Sequence, residues 1–96
     1  MKIEDLELFD AAEYLDSDET IAEYLVLAFE TGEQALIRDA IGAAARAKGM
    51  TKVAEAAQLS RQSLYRALSR DGDPKISTLF AVLRALGVEL RVEKAA

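Results

Sequence analysis

Along most of this chain the apolar residues recur at helical spacing, and only near the C-terminal end do they alternate one by one. Ile21, Tyr24, Leu25, Ala28 and Phe29 form one stripe, which predicts a helix over about 18–30. Its acidic start, Asp16-Ser17-Asp18, supplies caps and N-terminal negative charge. Ile37, Ala40, Ile41 and Ala44 form a second stripe, in a helix opened by a Thr31-x-x-Gln34 box, running to Lys48 and closed by Gly49. Leu79, Phe80, Val82, Leu83 and Leu86 predict a last helix with all five side chains inward, capped by Ser77 and ended by Gly87, with Val88 against Leu83. Asp10 and Glu13 suggest a short capped turn over 11–15 that docks Tyr14 and Leu15. The alternation of Val88, Leu90 and Val92 with charged residues predicts a half-buried strand, which must pair with residues 3–8 or with a second copy unless it frays.

Residues 51–68 stand apart, because two short helices must fit between closely spaced caps. Thr51 is placed to cap the first and Ser60 the second. Leu59 and Leu64 then have the spacing of a hydrophobic staple, and Leu64 and Leu68 share the inner face of the second helix. Ala54, Ala56 and Ala57 allow the first helix a close crossing. Arg61, Gln62, Ser63, Tyr65, Arg66, Ser69 and Arg70 face outward, as long or polar donors suited to phosphates and base edges. This is the pattern of a helix-turn-helix with a recognition helix. Gln58 is the discordant residue, standing where a glycine would relieve a positive φ; the turn is either strained or differently shaped. Asp71-Gly72-Asp73-Pro74 then makes a loop, with glycine free to take positive φ and proline stopping the helix.

Composition narrows the chemistry. At 96 residues the chain is expected to form one helix-turn-helix domain, with 1–30 as an acidic N-terminal extension, 31–87 as the helix-turn-helix core and 88–96 as a terminal strand or tail. It has no cysteine and no histidine, which removes thiolate chemistry, zinc sites built on those ligands and imidazole catalysis; no catalytic group, metal or cofactor is expected. The Asp16–Glu19 acids lack the alternating oxygen ligands and glycine of a calcium loop and read as caps. No apolar run is long enough to span a bilayer, and the acidic N-terminus does not read as a leader, so a cytoplasmic protein is expected.

The net charge of −5 is unevenly spread. Residues 1–45 hold two cations against twelve carboxylates, residues 46–75 seven against three, and residues 76–96 three against two. A polyanion feels the local patch more than the total, because charges beyond a Debye length of about 8 Å are largely screened at physiological salt. The basic middle suits nucleic acid. The acidic segment suits either a basic protein or simple solubility.

Taken together, Asp10-Ala11-Ala12-Glu13-Tyr14-Leu15, Ile21 with Tyr24-Leu25, Arg46-Ala47-Lys48-Gly49-Met50, residues 59–68, Gly72-Asp73-Pro74 and Ala85-Leu86-Gly87 resemble the small addiction-module antidote proteins. These are antitoxins with a HigA-like or phage-repressor-like helix-turn-helix. The chain departs from the family pattern at Gln58, often glycine, and at Asp73, often asparagine. The resemblance implies an all-α, compact, five-helix-type domain with a short C-terminal β-strand. It further implies neutralisation of a RelE-like ribonuclease toxin and repression of the chain's own operon.

The expected partners are therefore operator DNA, a RelE-like toxin and a second copy of the chain, with no membrane. Arg61, Gln62 and Ser63, at the start of the recognition helix, and Arg66, one turn on, are the base-reading candidates, Gln62 for adenine. Lys52, Arg70 and Lys75 are the phosphate candidates. Tyr65 either reaches the DNA backbone through its hydroxyl or packs on the preceding helix. Val88, Leu90 and Val92 are the dimerisation candidates. A prophage-type regulator without a toxin would share every DNA-binding feature, and a pure protein-interaction module would use the same helix without DNA.

Overall fold

Ser17 decides where the first helix begins. In the computed structural model, which describes residues 11–96, its hydroxyl accepts the Thr20 N–H at 3.1 Å. Thr20 Oγ1 in turn accepts the Ser17 N–H at 3.1 Å, a reciprocal capping box that opens α1, Asp18–Glu30. The expected stripe faces inward: Ile21 and Leu25 are buried, and Tyr24, Ala28 and Phe29 are partly buried against the same core. Upstream, Ala11–Tyr14 forms a single 3-10 turn, after which Leu15 is buried. Tyr14, expected to dock with it, is largely exposed. Asp10 and the pairing segment 3–8 lie outside the described residues.

Thr31 closes α1 instead of opening the next helix. Its hydroxyl donates to Ala28 O at 2.6 Å and accepts the Glu33 N–H at 3.1 Å. It is therefore engaged before it could reach the next helix, and α2, Gln34–Lys48, begins at Glu33 with no side-chain cap. Ala40, Ile41, Gly42, Ala43, Ala44 and Ala45 are all buried in succession, so α2 runs through the middle of the core. Its small side chains let α1, the 3-10 turn and the following helix approach closely. At its end Lys48 meets Asp18 at 3.0 Å, placing a cation at one helix C-terminus and an anion at another's N-terminus.

Gly49, with φ of 109°, joins α2 directly to α3, Met50–Ala56. The cap position is thus Gly49, whose carbonyl accepts the Val53 N–H at 3.0 Å, and Thr51 lies within the first turn without capping it. Ser60 caps α4, Arg61–Ala67, as expected: its hydroxyl accepts the Ser63 N–H at 3.0 Å. Leu64 is fully buried and Leu59 packs on the same cluster, consistent with the expected staple.

The last helix, α5, spans Ile76–Ala85. Its cap position is Lys75, with no side-chain bond, and Ser77 sits inside the first turn. Val82, Leu83 and Leu86 are buried, but Phe80 is 45% exposed and does not join them. The helix ends in a Schellman motif: Gly87, at φ 82°, donates to Arg84 O at 3.0 Å, and Val88 donates to Leu83 O at 3.1 Å. Five helices make an all-α body, and no strand occurs among the described residues. The expected C-terminal strand is not formed. Residues 88–96 carry no regular structure, because among the described residues no second extended segment gives their N–H and C=O groups a ladder.

Candidate nucleic-acid interface

The geometry of the α3–α4 pair follows from one backbone conformation. Gln58 takes φ of 58°, the single positive φ of a non-glycine residue among those described. It occupies the left-handed slot of a second Schellman motif, in which Leu59 donates to Ala54 O at 2.8 Å and Gln58 to Glu55 O at 3.1 Å. The turn is therefore the ordinary one, made with glutamine in a glycine position. It turns the chain within four residues and sets Ser60 to start α4.

With Leu64 anchored in the core, the other side of α4 is open. Arg61, Gln62, Tyr65 and Arg66 are all exposed and share one face. Ser63 is half-buried and accepts a bond from the Ser60 hydroxyl at 2.8 Å, so it reinforces the cap. Tyr65 lies on this outer face. It is 48% exposed, and Arg61 Nη2 donates to its hydroxyl at 3.3 Å, with the guanidinium carbon 5.5 Å from the ring centroid. This contact restrains Arg61 without neutralising it. No residue from 58 to 70 is a carboxylate. Among the described residues, none of Lys52, Arg61, Arg66, Arg70 and Lys75 forms an ion pair.

Behind α4 the chain is held by a contact that sequence reasoning missed. Arg38 Nη1, on α2, donates to Gly72 O at 3.0 Å, across 34 residues of sequence. The loop carrying Arg70 and Lys75 is thereby tied to the central helix. Arg38 Nε is buried and has no hydrogen-bond partner. The one available signal was that Arg38 is the sole cation between residues 11 and 45. Gly72 also serves differently from expectation. It is not among the glycines with positive φ. Instead a Cβ there would run into Ala67 O and lie 2.7 Å from Arg66 O, so the loop can fold back onto the end of α4 only over a glycine.

The dimerisation candidates lie elsewhere. Val88 packs on the chain's own core, Leu90 is exposed, and Val92 is fully exposed. Val88 and Leu90 border a groove of about 970 Å³ against Val26 and Phe29 of α1. Among the described residues there is no cluster able to hold a metal ion and no helix long and apolar enough to cross a membrane.

A Haemophilus influenzae protein (strain KW20 / Rd) described as uncharacterized is 40% identical to this chain over 91 residues, covering 95% of this chain and 94% of its own length. No solved structure matches. Residues 5–94 match the family described as “Probable addiction module antidote protein”, and the chain belongs to that family.

Proposed function

We propose that the chain is the DNA-binding antitoxin of a toxin-antitoxin module, a cytoplasmic protein that neutralises a toxin and represses its own operon as a dimer. The carrying observation is α4. It is the second helix of a short pair, anchored by Leu64, with Arg61, Gln62 and Arg66 outward in a segment free of carboxylates. In this reading α3 and α4 form a helix-turn-helix. Arg61, Gln62 and Arg66 meet base edges, where arginine pairs bidentately with guanine and glutamine with adenine. Lys52, Arg70 and Lys75 meet phosphates and orient the protein without reading sequence. Ser63 and Tyr65 support the first set, one through the cap and the other through Arg61.

Two copies, joined through the exposed Leu90 and Val92 of the tail, would set their α4 helices about 34–36 Å apart, the spacing of successive major grooves on a near-palindromic operator. Membership of an antidote family implies a toxin partner, and the resemblance to HigA-like antitoxins makes that toxin a RelE-like ribonuclease.

Filter binding to the DNA upstream of the chain's own gene, at two salt concentrations, tests the DNA-binding part. Gln62→Ala is expected to relax specificity by about 1–3 kcal/mol at one base pair. Lys52→Ala should weaken operator and random DNA alike and reduce the salt slope by about one. Equal losses on both DNAs for Gln62→Ala remove it from the base-reading set. Absence of salt-dependent binding by the unmodified chain leaves the protein-interaction module as the better account.

A further inference from the structure

We infer that the outer face of α1 docks a cationic protein surface through Val26 and Leu27, set among Glu19, Glu23 and Glu30. This rests on the antitoxin reading above and names the residues that would meet the toxin. Val26 is 56% exposed and Leu27 64%, on a helix whose inner face is already held by buried Ile21 and Leu25. The five outer residues fall at i, i+4, i+7, i+8 and i+11, which is one continuous helical face. Ala22, Glu23, Val26 and Leu27 line a concavity of about 430 Å³ beside it. A face serving solubility alone has no use for two adjacent large apolar side chains. A helix laid into a partner's groove uses this arrangement, with apolar anchors at the centre and charge at the rim.

Charge identifies the occupant. α1 contains four carboxylates and no cation. Asp18 is taken up by Lys48, while Glu19, Glu23 and Glu30 have no ion pair among the described residues. A second copy docked on this face about a dyad would set the same carboxylates against one another, since a two-fold interface is built from the same patch on both subunits. DNA is excluded by the same repulsion. A protein offering lysines or arginines around an apolar groove meets both requirements. The face also leaves α4 free, because α1 packs on α2 whereas α4 packs on α3.

The test uses the full chain and the product of the reading frame adjacent to its gene, co-purified and titrated by calorimetry. Val26→Ser with Leu27→Ser should weaken the complex at least tenfold, and Val26→Ile with Leu27→Met should retain it within about threefold. Glu23→Lys with Glu30→Lys should also weaken it at least tenfold and reduce its salt dependence; both positions are exposed, and a cation at Glu30 suits the helix C-terminus. Melting temperature and operator binding of every variant should stay at the level of the unmodified chain, which separates docking from folding. Unchanged affinity in both weakened variants overturns the inference and leaves the antitoxin reading intact. Failure of the unmodified chain to bind the neighbouring product overturns both.

Discussion

Replacing Gln58 with glycine should stabilise this protein, although glycine substitutions usually do the opposite. At φ 58° a residue with a Cβ is held in the left-handed region at a cost of about 1–2 kcal/mol. Glycine removes that cost. Against it stands the greater freedom of glycine in the unfolded chain, worth about 0.4–1 kcal/mol. Nothing else changes sides: the Gln58 side chain is exposed, and the bonds from Leu59 to Ala54 O and from Gln58 to Glu55 O belong to the backbone. The strain term is the larger, so Gln58→Gly should gain about 0.5–1 kcal/mol, a rise in melting temperature of about 2–8 °C for a domain of this size. Circular-dichroism melts with urea titrations measure it. Gln58→Ala keeps the Cβ and should melt close to the unmodified chain, which assigns the gain to the backbone. A lowered midpoint for Gln58→Gly, or an equal rise for Gln58→Ala, would refute the claim that the turn stores strain.

Three further substitutions probe the elements that present α4. Gly72→Ala forces a Cβ against Ala67 O and Arg66 O and should cost about 1–3 kcal/mol, read from urea midpoints; an unperturbed midpoint would mean that the loop is not packed on α4. Leu64→Ala empties the anchor of a seven-residue helix and should cost about 2–5 kcal/mol, with DNA affinity falling alongside stability. Ser60→Ala removes the cap bond to the Ser63 N–H and should cost about 1 kcal/mol, which Ser60→Asp should largely restore. If aspartate fails to restore it, the Ser60 hydroxyl acts through Ser63 Oγ and not through the helix end.

Interactions local in sequence were legible in the chain itself. The Asp18–Glu30 helix, the close of α2 at Gly49, the Ser60 cap and the Gly87 ending could all be read because periodicity and capping join residues no more than about one turn apart. The outward set Arg61, Gln62, Tyr65 and Arg66 was legible too, since Leu64 fixes which face of α4 turns inward. Other choices between local alternatives were settled by the path of the chain. Thr31, Thr51 and Ser77 each had a hydroxyl able to cap, but Thr31 closes the helix before it, while Gly49 and Lys75 occupy the other two cap positions. Phe80 read as inward and proves exposed, because apolar character does not say whether a facing element exists to cover it. The Arg38 bond to Gly72 O and the missing ladder for the tail join, or would have to join, residues distant in sequence or in another chain. Tertiary structure alone decided these, because which distant backbone groups come within bonding reach depends on how all five helices pack together.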